Sequence, residues 1–414
     1  MTLLTHIFLL LIGAGVLDFA LTRYVRLQES VYRIALVVTW FLFTIRYYYG
    51  ADIYNYVPVY EHLHPWYWYL QHPNQYEFEH GFILFCAVLK GLGLSYYWMT
   101  AIVTTFYFVV IGKLFSRIKR HKSLALMSLV IFDYNLIFAA HRQCLAVSFF
   151  ILMVLALDKR QYVWAALLAF ICSEMHKSGV FIASMTWILY VLHHHKLERV
   201  FFLLLIGLLM LMLVLPMTAL NTSFVASLPL PESFIRALTE HLSLGRRIQV
   251  VWTMYAVVLV CMEYYVQHRG NLGQRGTEAV VILGAVLIVL LYQYFYLLVR
   301  VRSYFLPILL VYLFRLVQDA EDSGEPVIRG GVLLKELCCI FAIAYFGYAT
   351  YRFEQSANHM FERAYTPGKK TIYSTSTVFD LRYRSAKDIQ KERMLIAKYY
   401  WWYDYMVGEH NKLK

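Results

Sequence analysis

Charged side chains interrupt an otherwise apolar chain in short runs, and most of them are arginines, carboxylates and histidines. Arg46 and Asp52 follow the second apolar segment, and Glu77 and Glu79 precede the third. His141-Arg142-Gln143 and Glu174-Met175-His176-Lys177 each separate two apolar stretches, and Arg246-Arg247 and Arg300 with Arg302 come later. A guanidinium stays charged at any relevant pH, and its fork matches two phosphate oxygens at once. A carboxylate or an imidazole can take a proton from a hydroxyl, the imidazole near neutral pH. Ionisable groups at membrane depth cost roughly 3 kcal/mol or more, so they face a protein interior or a water-filled cavity. Together these residues describe a cation-rich pocket suited to a polyprenyl diphosphate whose tail stays in lipid. Arg142, Arg300 and Arg302 would bind the diphosphate with help from Arg46, and Asp52, Glu174 or His176 would act as base. The alternative for each arginine is that it snorkels to the interface or pairs with a nearby carboxylate. For His176 the alternative is a helix cap or a histidine that orients the diphosphate.

The stretch from Tyr47 to His80 is dense in aromatic rings. Such rings stack on the apolar faces of sugars, and they also populate interfacial belts. Tyr54 and Tyr56, just after Gly50 and Asp52, fit the first role; Trp66-Tyr67-Trp68-Tyr69 fits the second. Asp133 lies inside an apolar segment, where pairing with an arginine of the pocket is its natural role.

The elements that must position these groups are transmembrane helices. Of 414 residues, 60% are apolar and 15% charged, and the mean hydropathy is +0.53, too apolar for a soluble domain of this length. Apolar segments fall at 3–21, 31–48, 81–95, 96–115, 123–140, 143–157, 161–174, 178–192, 199–217, 249–266, 277–298, 303–318 and 331–350. Backbone polar groups must be satisfied locally in lipid, and the alternation of a barrel is absent, so the fold is all-α and polytopic. A single transmembrane domain over 1–350, with outer loops 49–80 and 218–248, would precede a polar and aromatic tail, 351–414.

Basic loops set the orientation. Arg23/Arg26/Arg33, Arg117/Lys119/Arg120/Lys122, Lys159/Arg160, Lys196/Arg199 and Arg269/Arg275 all read as cytoplasmic. An even number of crossings must then separate each pair, and 81–95 with 96–115 breaks that parity if both span. The former is short for about 30 Å of hydrocarbon. We therefore expect 81–95 to be a re-entrant or outer-face hairpin beside about twelve crossings, with the misplaced arginines on the outer side. The run Ile7 to Leu17 lacks a basic region ahead of it and reads as a retained helix. The six cysteines show no metal-ligand spacing, so no metal is expected. The net charge of +12 lies at membrane edges, which favours lipid head groups over nucleic acid.

Arg46-Tyr-Tyr-Tyr-Gly50-Ala-Asp52-Ile-Tyr54-Asn-Tyr56 resembles the arginine, glycine-x-aspartate, tyrosine signature of the EpsG family of exopolysaccharide polymerases, which are related to Wzy-type polymerases. Glu79-His80-Gly81-Phe82 resembles the family's Glu-Pro-Gly-Phe, with His80 in place of proline. Arg142-Gln143 with Leu145-Ala146, His176-Lys177-Ser178, and Arg302 with Tyr304-Phe305 resemble its later motifs, in the same order over roughly 30–315. The resemblance implies a GT-C-like, multi-spanning glycosyltransferase in the bacterial inner membrane, its active site facing the periplasm. Donor and acceptor would both be undecaprenyl-diphosphate-linked oligosaccharides, no cofactor would be needed, and a chain-length regulator would be a further partner. His176 becomes the preferred base, and Tyr54, Tyr56, Glu79, Gln143 and His141 become sugar contacts. The rivals are an O-antigen-type ligase or membrane acyltransferase and, from another class, a flippase of lipid-linked sugars, against which the chain shows no internal repeat.

Overall fold

The computed structural model describes residues 3–46, 53–71, 78–194 and 302–322, and every regular element among them is a helix. In chain order they are α1 (Leu3–Ala20), α2 (Val25–Thr44), α3 (Ile53–His62), α4 (Trp66–Tyr69), α5 (His80–Gly91), α6 (Tyr96–Phe115), α7 (Lys122–Phe138), α8 (His141–Asp158), α9 (Tyr162–Met175), α10 (Lys177–His194) and α11 (Arg302–Asp322). The segments expected at 199–217, 249–266, 277–298 and 331–350, the loop 218–248 and the tail 351–414 lie outside the described residues.

Two of these helices, Tyr96–Phe115 and His141–Asp158, are long and apolar enough to cross a membrane. Val163, Leu167 and Phe170 lie about a turn apart on α9 and are exposed, as are Ile34 and Val37 on α2. An outward-facing apolar stripe suits a helix whose solvent is lipid.

The described residues divide into two compact units, one holding those of 1–149, 174–176 and 313–322, the other 150–173, 177–194 and 302–312. In the first, α1 packs on α2 and α7, and α2 packs on α6 and α7. One end of this group is where α1 turns into α2 and α6 into α7. There the Asp18 carboxylate accepts the backbone N–H groups of Ser123 (2.8 Å) and Leu124 (3.2 Å), satisfying donors that the first turn of α7 leaves open. Gln28 donates to the Asp18 carbonyl at 2.8 Å, and Lys122 donates to Glu29 at 2.7 Å. Gln318 accepts from the Lys119 N–H and donates to the Arg120 carbonyl. The first two basic loops thus meet at one end of the group.

Two expectations change in detail. α2 begins at Val25, six residues before its apolar stretch, because Gln28 and Glu29 are helical residues tied to the neighbouring loop. The aromatic loop 49–80 contains two helices, α3 and α4, that its composition does not announce.

α5 has 12 residues and is therefore about 18 Å long, short of the hydrocarbon thickness. It ends in a left-handed turn at Gly93 (φ 74°), where Gly93 N–H reaches the Lys90 carbonyl and Leu94 N–H reaches that of Leu89. This glycine-terminated motif closes the helix and sends the chain directly into α6. Lys90 donates to the Glu61 carbonyl and the Tyr60 hydroxyl to that of Leu94, so the end of α5 is fastened to the end of α3. Burial pushes the Tyr60 phenol well above its ordinary range, which keeps this hydroxyl a donor.

Candidate functional site

The far end of the first unit gathers the motif residues. The start of α8 carries His141 and Arg142, the segment before α5 carries Phe78 and Glu79, and α3 carries Tyr56. Arg142 Nη1 donates to Glu79 Oε2 at 2.6 Å, and its Nε donates to the Tyr56 hydroxyl at 3.3 Å. Its guanidinium carbon lies 4.1 Å from the centroid of the Phe78 ring and 5.6 Å from that of Tyr56. The cation is therefore held on its face by aromatic rings and at one edge by a carboxylate and a phenol. Nη2 forms no hydrogen bond among the described residues.

His141 continues the wall. Its ring stacks on Tyr56 (5.4 Å, 24°) and on Tyr96 at the start of α6 (6.0 Å, 17°), and its Nε2 lies 3.3 Å from the Tyr96 hydroxyl. Tyr56 also packs on Phe78 and Phe82. Sequence reasoning passes over Phe78 and Tyr96, which carry no motif and are hidden among 28 phenylalanines and 35 tyrosines. Only their place beside Arg142 and His141 marks them.

The Glu-His-Gly-Phe turn has a packing reason for each residue. Glu79 stands at the N-cap position of α5 and turns its side chain to Arg142, and Phe82 is buried against Tyr56. A Cβ on Gly81 would lie 2.6 Å from the Glu174 Cβ and 2.9 Å from its carbonyl oxygen, so only glycine lets α5 meet the end of α9. His80 occupies the first helical position, where proline is favoured in any helix, and its Nδ1 lies 2.8 Å from the Tyr69 hydroxyl. Histidine replaces proline there without breaking the helix and adds a polar contact with α4.

Arg46 sits deeper at the same end. It is 2% exposed; Nη1 donates to the Phe43 carbonyl and, at 2.8 Å, to the Thr104 hydroxyl, while the guanidinium lies over Phe138. Its Nη2 is buried with no hydrogen-bond partner among the described residues. A buried cation with an open donor is costly unless an anion completes it. Asp133 is buried at a break in α7, where φ is −130° and ψ is 24°.

The other expected residues fall as follows. Glu174 backs Gly81, half-buried His176 stands between α9 and α10, and Gln143 is buried in the first turn of α8. Tyr54 is in α3, but its side chain lies outside the described residues, as do Asp52, Glu77, Arg246, Arg247 and Arg300 entirely. In the second unit Arg302 opens α11, and Tyr304, two residues on, meets Ser178 hydroxyl to hydroxyl at 2.9 Å. The late Arg-x-Tyr motif and the His-x-Ser motif thus touch through their last residues. Tyr304 is fully buried with its ring edge-on to Phe150.

Compared with known proteins, residues 30–362 match the sequence model of the EpsG family. No curated protein and no solved structure matches the chain.

Proposed function

This chain belongs to the EpsG family, a membership that points to polymerase-type work in exopolysaccharide synthesis at a membrane, and from that premise we propose a specific reaction. The protein transfers a growing glycan from undecaprenyl diphosphate to a hydroxyl of a lipid-linked repeat unit, at the periplasmic face of the bacterial inner membrane. About twelve crossings carry the site, in a GT-C-like arrangement, with α5 as an outer-face hairpin that does not span. Arg142 supports this reading best. Aromatic rings hold its guanidinium in place while Nη2 stays open, a suitable arrangement for a phosphate oxygen.

In the proposed reaction Arg142, Arg300 and Arg302 bind the donor diphosphate, and Arg46 adds its unpartnered donor. His176, with Asp52 and Glu174 as the other candidates, takes the proton of the acceptor hydroxyl. The hydroxyl oxygen attacks the anomeric carbon, the bond from that carbon to the diphosphate oxygen breaks, and the electron pair leaves on the phosphate. The arginines stabilise the charge that develops there, the step at which a preorganised site contributes most. Tyr54, Tyr56, His141, Gln143 and Glu79 line the path of the sugars, and membrane lipids hold both prenyl tails. A chain-length regulator is the further partner.

Purified protein supplied with lipid-linked repeat units tests the proposal. Arg142→Ala and Arg302→Ala should each slow glycan lengthening by roughly 100-fold or more. Wild-type rates in correctly inserted variants would remove the diphosphate role. A ladder of products marks a polymerase, a single transfer marks a ligase, and no new glycosidic bond marks an acyltransferase or flippase.

A further inference from the structure

Given the diphosphate role proposed for Arg142, on which this inference rests, we infer that Glu79 is a specificity latch: its carboxylate occupies Arg142 in the resting site and keeps singly charged lipid phosphates off it. Three observations lead there. The Arg142 to Glu79 contact is short, 2.6 Å, and sheltered, with the two side chains 18% and 7% exposed. The arginine does not depend on Glu79 for its position, because Phe78 at 4.1 Å, the Tyr56 ring at 5.6 Å and the Tyr56 hydroxyl at 3.3 Å hold it independently. Of the guanidinium nitrogens, Nη1 is taken by Glu79 and Nε by Tyr56, so Nη2 is left as the point of first contact for an incoming anion.

A cation at a membrane surface attracts the anionic head groups the leaflet carries, and a phosphatidylglycerol head group is a monoanionic phosphodiester. Left unpaired, Arg142 would be occupied by them. An internal carboxylate has the same charge as such a head group and is tethered beside the arginine, so exchange for a lipid phosphate gains little. A diphosphate carries more charge and two phosphate groups to fill the fork, so it can displace Glu79. After transfer, the carboxylate can return to Arg142 and help the product leave.

The probe is undecaprenyl diphosphate, its affinity measured for the full-length protein in nanodiscs of neutral lipid and again with phosphatidylglycerol present. Glu79→Gln keeps the shape and removes the charge. In neutral lipid it should bind the probe about tenfold tighter than wild type, since a charge-assisted competitor is gone. Phosphatidylglycerol should then weaken binding to Glu79→Gln several-fold while leaving wild type almost unchanged. Weaker binding by Glu79→Gln in neutral lipid would make Glu79 only a prop for Arg142 and overturn the inference. So would an equal effect of phosphatidylglycerol on both proteins. Arg142→Ala separates the two levels: if it loses the probe, the diphosphate role stands whichever way Glu79 falls. If it binds like wild type, that role itself is wrong.

Discussion

The two ends of the group formed by α1, α2, α6 and α7 use charge in opposite ways. Where α1 meets α2 and α6 meets α7, charges are tied into the fold: Asp18 caps α7, Glu29 pairs with Lys122 and Arg33, and Gln318 closes the loop before α7. At the other end, Arg142 pairs with Glu79 through Nη1 and packs on rings while Nη2 stays open, and Arg46 is buried with a donor left over. One end pairs its charges with partners inside the fold. The other keeps cations in reserve, which is a cost to the fold that an anionic substrate would offset.

The sharpest way to break this contrast is at Asp18. Asp18→Ala leaves two buried amides at the start of α7 without an acceptor and should cost roughly 3 kcal/mol, read as a lowered melting temperature of the purified protein. Affinity for undecaprenyl diphosphate should not change; a loss of affinity with the fold intact would mean that the two ends are not separate in function. Gly81→Ala comes next, because the added methyl must push Glu174 away from α5. A stability loss of about 1–3 kcal/mol is expected, together with slower glycan lengthening as Phe78 and Glu79 shift. Unchanged rate and stability would show that α5 is free to move.

The smallest effect is at Glu29, which lies ahead of the apolar stretch of α2. Burial works against its ionisation, but hydrogen bonds and charge from Lys122 and Arg33 outweigh it and hold the carboxylate below 4.5. A carboxylate depressed in the folded state contributes stability above its unfolded value, and that contribution fades as pH falls through the folded one. The melting temperature should therefore drop on acidification from about 4.5 downward, and Glu29→Gln should shrink that drop. An undiminished drop in Glu29→Gln assigns it to other carboxylates.

Much of this contrast is legible in the residues. Apolar runs locate α1, α6 and α8 to within two residues, since hydropathy and helix coincide where a segment is apolar along nearly its whole length. They misplace the start of α2, where polar residues are helical because a neighbouring loop binds them. They miss α3 and α4 altogether, whose tyrosines and tryptophans give no clear period and whose Pro58 and Pro65 read as breaks. The site shows the same division. Charge in the wrong place picks out Arg46, Glu79 and Arg142. That Glu79 belongs to Arg142, 63 residues away, and that Phe78 floors the guanidinium are facts of three-dimensional packing that no spacing announces.

A photoreactive undecaprenyl diphosphate, with its diazirine next to the diphosphate, tests the central claim most directly when crosslinked to the full-length protein and mapped by peptide. Labels are expected within 78–82 and 139–143, reduced in Arg142→Ala. Labels centred on 116–123, or labelling indifferent to Arg142, would contradict it.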